Sequence, residues 1–177
     1  MKRYNLALIS LNNDLYTSLI AGKEKNSFGY CIGETSIPHI TVCQFVCNSS
    51  HIESVWNIIR NKFENTMLNI TFRLYSNITF DNRIYWLSLI PQEREALQNI
   101  FDIVSNHVES LRSDTYDPHL TLLNYQKNNL YINKEELENG VIISDDFYLS
   151  LGESDEIGQL TKIIFQSDEI PKQTLNF

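Results

Sequence analysis

The chain has 177 residues, 42% of them hydrophobic and 20% charged, with a net charge of −8 and a pI of about 4.9. That suits one soluble globular domain over residues 1–177, or two small halves sharing a core. No stretch approaches the roughly 18 apolar residues of a membrane helix. The acidic balance argues against a face that grips long nucleic acid by its phosphates, though a small phosphorylated ligand needs only a few local donors.

Arg3–Leu11 is apolar and predicts a first strand. The polar Asn12-Asn13-Asp14 then stands where a signal peptide would need a longer apolar region, so the expected location is the cytoplasm. Asn13–Lys25 predicts a short helix with Asn13 as its cap. Residues 26–38 hold Gly29, Gly33 and Pro38 and predict a loop, with a short strand at Phe28–Ile32. His39–Val46 is rich in β-branched and aromatic residues and predicts a strand. Ser49 or Ser50 is positioned to cap a helix, with Glu53 completing a capping box. Ile52, Val55, Trp56, Ile59 and Phe63 recur at helical spacing and form its core face. Two strands follow, at Met67–Ser76 and Arg83–Ile90. Pro91 suits the first turn of a helix, whose apolar face is Leu97, Ile100, Phe101, Val104, Val108 and Leu111. His51 and His107 flank these helices as surface histidines. His119–Tyr125 is the next strand. Asn133 caps a short helix over residues 134–139, which Gly140 ends. Val141–Gly152 and Gly158–Gln166 close the chain as a hairpin. The order predicts an α+β fold of mostly antiparallel sheets flanked by helices.

Two segments repeat a pattern. Pro38-His39-Ile40-Thr41 and Pro118-His119-Leu120-Thr121 each read proline, histidine, aliphatic, threonine, and their histidines lie 80 positions apart. In a strand, residues i and i+2 share a face, about 7 Å apart. Each motif therefore offers a histidine and a threonine on one face with aliphatic residues behind, and the proline marks the strand's start. If two related lobes meet at a central cleft, in a bilobal, pseudo-twofold arrangement, the four side chains converge. Two imidazoles then divide general acid and base work, and two hydroxyls hold phosphoryl oxygens. No metal or other cofactor is required. Cys31, Cys43 and Cys47 form no CxxC pair and read as free thiols. Regular alternation places Cys43 on the face of His39, as a thiol on the cleft floor.

The paired motifs resemble those of the 2H phosphoesterase superfamily, which includes 2′-5′ RNA ligase-like proteins, cyclic nucleotide phosphodiesterases and 2′,5′-oligoadenylate phosphodiesterases. The opening strand, the strand and helix from Arg83, and the closing hairpin resemble that family too. The resemblance implies His39 and His119 as the acid/base pair and Thr41 and Thr121 as phosphate ligands. RNA ligase-like members often carry an arginine five positions after the second histidine. Asn124 stands there in this chain, which points toward a compact nucleotide rather than tRNA.

A nucleotide's base needs an aromatic or apolar surface. Tyr4, Tyr30, Tyr85, Trp86, Tyr116 and Tyr125 are candidates, each with core packing as its alternative role. Alternation places Tyr125 with His119 and Thr121, and Trp86 with Ser88. The expected function is a metal-independent phosphodiesterase acting on a 2′,3′-cyclic phosphate, a 2′-5′ linkage or a cyclic or short oligonucleotide. A nucleotide-binding module without turnover and an enzyme degrading cyclic oligonucleotide messengers are the alternatives. The expected partner is a small nucleotide or short oligonucleotide, with no membrane and no long nucleic acid. Oligomeric state stays open.

Overall fold

The computed structural model describes residues 1–23, 27–63, 67–79, 81–111, 116–126 and 140–167. In chain order these residues form β1 (Lys2–Ser10), α1 (Asn13–Ser18), β2 (Ser27–Cys31), β3 (His39–Cys47), α2 (Ile52–Arg60) and β4 (Met67–Thr79). Then come β5 (Ile84–Pro91), α3 (Arg94–Ser105), β6 (Leu120–Gln126), β7 (Ile143–Ser154) and β8 (Leu160–Gln166). The expected α+β class is what the structure has. Its strands pair antiparallel in the order β1-β3-β6-β5-β4-β7-β8, with β2 beside β6. Since β1 also pairs β7, six strands close a circuit. Two sheets were expected; one forms, because Ile40 of β3 pairs with Leu120 of β6 and joins the two motif strands directly.

The core explains the strand sequences. Tyr4 to Ser10 of β1 are all buried, so this strand shows no polar alternation, as expected where both faces are covered. Leu6 and Leu8 enter the main core with Ile40, Phe72, Leu120, Leu122 and Phe147. Ala7 and Ile9 meet Ile37 and Leu160 in a smaller cluster. Helix α2 buries Ile52, Trp56 and Ile59, and the Trp56 ring stacks on Phe165 of β8 at 6.0 Å. Helix α3 buries Leu97 and Val104.

Several local signals resolve differently from the sequence reading. Helix α1 ends at Ser18, and the residue before its first turn is Asn12. Neither Ser49 nor Ser50 caps α2; its N-cap is His51, while Ser49 Oγ accepts a hydrogen bond from the Tyr4 hydroxyl at 3.1 Å. Pro91 ends β5 instead of opening α3. The Glu93 carboxylate, just before α3, is drawn to the Thr71 backbone N–H at 2.9 Å. Val108 and Leu111 lie beyond the end of α3, and the Leu111 N–H donates to the Gln44 carbonyl at 2.7 Å. The helix expected over residues 134–139, with Asn133, lies outside the described residues. No helix among those described is long and apolar enough to cross a membrane.

Strand β7 shifts register against β8 between Leu151 and Gly152. A Cβ added at Gly152 would collide with the Lys162 carbonyl and the Leu160 side chain. Backbone cannot yield as a flexible side chain does, so Gly152→Ala should destabilise the fold by about 2 kcal/mol. Urea denaturation checks this, and an unchanged midpoint would contradict the packing described.

Candidate active site

Each motif proline has a positional role. It fixes φ of the residue before the histidine and brings no N–H of its own. The carbonyl one residue earlier then meets the imidazole. His39 Nδ1 lies 2.7 Å from the Ile37 carbonyl, and His119 Nδ1 lies 2.7 Å from the Asp117 carbonyl. A carbonyl only accepts, so both Nδ1 atoms carry the proton. Nε2 is then the ring nitrogen through which each histidine exchanges protons.

The Ile40–Leu120 pair is the sole register match between β3 and β6. In an antiparallel pair this sets His39 across from Thr121 and Thr41 across from His119. All four side chains line one cleft. Tyr30, Trp86 and Ile78 form an apolar wall, and Ile157 and Gly158 lie at the cleft as well. Trp86 meets Tyr30 edge-on at 5.7 Å and is paired across strands with Ile78.

Both threonine hydroxyls are oriented. Asn5 Nδ2 donates to Thr41 Oγ1 at 3.1 Å, and Ser88 Oγ donates to Thr121 Oγ1 at 3.4 Å. The Tyr116 hydroxyl donates to the Thr41 carbonyl at 3.2 Å.

The histidines differ in surroundings. His39 is 5% exposed. Burial pushes its pKa down to about 4; the Ile37 carbonyl opposes this and the neighbouring His119 adds to it. His39 is therefore neutral at neutral pH, with a lone pair on Nε2. The His119 side chain is 25% exposed, and its Nδ1 lies 4.0 Å from an Asp117 carboxylate oxygen. Arg94 holds that carboxylate at 2.7 Å.

Two sequence expectations fail for one reason. Thr41 pairs with Ala7 but Cys43 with Leu6, so Val42 is an extra residue in β3. Thr121 pairs with Ser88 but Leu123 with Leu87, so Leu122 is an extra residue in β6. Each bulge flips the alternation. Cys43 therefore enters the core, where burial raises its thiol pKa, and Gln44 takes its place at the cleft. Tyr125 likewise leaves the face of His119: it stacks on Tyr85 at 5.6 Å and donates to Asn77 Oδ1 at 2.7 Å. Tyr4 is a core residue beside Phe45. Of the six aromatic candidates for substrate, Tyr30 and Trp86 line the cleft, and Tyr4, Tyr85, Tyr116 and Tyr125 do not. Tyr116 stacks on Phe101 at 4.7 Å. Asn124 is buried, with Oδ1 accepting from the N–H groups of Phe28 and Tyr30 at 3.2 and 2.9 Å. It fixes β2 and thereby the Tyr30 wall.

Gln44, Ile78, Ile157 and Gly158 were missed by strict alternation. The signal for Gln44 was present: Val42-Cys43 and Leu122-Leu123 are adjacent apolar pairs, each followed by an amide. Among the described residues, no three His, Cys, Asp or Glu side chains cluster as metal ligands.

No family model and no curated protein matches the chain. Solved structures do. E. coli LigT complexed with 3′-AMP aligns with a TM-score of 0.62 at 14% identity, covering 94% of this chain and 97% of that one. The LigT complex with ATP gives 0.61 at 15% identity, covering 94% and 96%. Kluyveromyces marxianus Usb1 gives 0.55 at 12% identity, covering 92% and 95%. The fold of this chain is thus that of LigT and Usb1.

The buried imidazole links stability to pH. An unfolded His39 takes up its proton below about 6.5, the folded one only near 4. Between those values the unfolded chain binds more protons, so acid favours unfolding. Wild type should lose up to about 3 kcal/mol relative to His39→Gln as pH falls through this window. Parallel urea curves at pH 7 and 4.5 check it; equal losses would refute a buried, neutral His39.

Proposed function

We propose that this protein is a metal-independent phosphodiesterase of the 2H type, acting on a 2′,3′-cyclic phosphate or on a 2′-5′-linked or cyclic oligonucleotide. The observation that carries this is the matched pair of Nδ1-anchored histidines with threonines across a single strand pair. The fold shared with LigT, solved with ATP and with 3′-AMP, supports a nucleotide ligand.

The proton roles follow from the surroundings. His39, neutral and buried, accepts a proton at Nε2 from the attacking water or hydroxyl. The oxygen so activated bonds to phosphorus on one side while the ester oxygen leaves on the other. His119, partly exposed beside the Asp117 carboxylate, donates the proton that the leaving oxygen takes. Thr41 and Thr121 donate hydrogen bonds to the non-bridging oxygens as charge shifts onto them. For a cyclic phosphate the products are a monophosphate ester and the freed ribose hydroxyl. Solvent returns the proton to His119 and removes one from His39. The apolar wall of Trp86 and Tyr30 takes the base.

His39→Ala and His119→Ala should each lower kcat at least about 100-fold on nucleoside 2′,3′-cyclic phosphates or 2′-5′ oligoadenylates. The acid limb of kcat/KM should fall near pH 4, well below an ordinary histidine. Full activity in both variants would sink the assignment. Tight nucleotide binding without product across the panel would indicate a binding module instead.

A further inference from the structure

Gln44 is 5% exposed, lines the cleft and is not used by the chemistry above. Its Nε2 is buried and has no hydrogen-bond partner among the described residues. A buried amide donor left unpaired costs stability, so its place at the cleft calls for an account. The equivalent amide of the second motif, Asn124, is spent on the backbone of β2.

Position says what Gln44 meets. Strands β3 and β6 run antiparallel through their single pair at Ile40 and Leu120. Residues beyond Thr41 therefore lead away from those beyond Thr121. Trp86 is paired with Asn124 on the second arm, and Tyr30 is held by the same Asn124. The apolar wall thus stands at one end of the cleft, the histidine–threonine quartet at the middle, and Gln44 at the other end. A nucleoside cyclic phosphate reaches from the wall to the quartet and leaves the Gln44 amide unpaired. An internucleotide phosphodiester extends past the scissile phosphorus on both sides.

We propose that Gln44 recognises the second nucleotide of an internucleotide phosphodiester, donating from Nε2 to a sugar or base oxygen on the side of the scissile phosphate away from Trp86. This rests on the phosphodiesterase reading and narrows it to substrates with a nucleoside on each side of the phosphate. One competing arrangement is local. Asn5 is paired with Gln44 across strands, and its Oδ1 also lacks a partner. If these two amides simply bond each other, Gln44 is structural.

The test uses Gln44→Ala and the near-isosteric Gln44→Met, which removes the donor while keeping the volume. Binding of 2′-5′- and 3′-5′-linked diadenosine phosphorothioates and of adenosine 3′-monophosphate is measured by calorimetry, with Tm by thermal unfolding. The expected result is at least a 10-fold weaker Kd for the linkage that wild type binds, a change under 2-fold for the mononucleotide, and an unchanged or higher Tm for Gln44→Met. Equal losses on both ligand types, no loss on either, a lowered Tm for Gln44→Met, or no binding of either dinucleotide by wild type would overturn the subsite. Turnover of the matching phosphodiesters separates the two ideas. Selective binding without product leaves the subsite standing and removes the catalytic reading, whereas product with an unselective Gln44→Ala effect does the reverse.

Discussion

The site depends on one strand pairing, Ile40 with Leu120. Both residues are fully buried, and their neighbours on either side are the histidines and threonines of the two motifs. An antiparallel pair relates its strands by a local twofold, so one contact brings each histidine across from the other strand's threonine. Beyond that pair the strands diverge. Strand β2 fills the gap along β6, and the segment after α3 bridges to β3 at Phe45 and Ser110. The cleft is the space above this divergence. A larger pairing surface would close it; none would separate the histidines.

Equivalent positions then receive different environments, and the proposed acid/base division needs that difference. Both imidazoles are anchored by the same proline-turn carbonyl contact. Burial keeps His39 neutral against the opposing backbone contacts of Ile37 and Gly158, whereas His119 lies near a carboxylate and meets solvent. Two identical histidines could not divide proton transfer so cleanly. The amides five positions on diverge in the same way: Asn124 ties down β2, and Gln44 faces the cleft. The sequence motif is symmetric, and the surrounding chain breaks the symmetry.

Much of this was legible in the residues. The repeated Pro-His-aliphatic-Thr pattern placed both histidines and threonines, because strand alternation holds over three residues. It failed one residue later, at Val42 and Leu122, since a bulge is set by the partner strand's register and not by local propensity. Tyr125 and Cys43 were misplaced for that reason alone. Pro91 and the serines before α2 misled similarly: each signal suits a helix start, but pairing with β4 extended β5 through Pro91, and the Tyr4 hydroxyl claimed Ser49. Burial of His39 was invisible in sequence, because it comes from β1, β6 and the turn at Gly158 assembling around it.

In the proposed mechanism His39 is a neutral base whose Nε2 faces the phosphate. Nitrogen NMR of the imidazoles reads this directly. The chain has four histidines, so His39→Gln assigns the signal. The ring should be neutral and protonated on Nδ1 at pH 7, titrate near pH 4, and shift at Nε2 when a nucleotide phosphate is added. A His39 signal that titrates near 6.5 and ignores the nucleotide would contradict it.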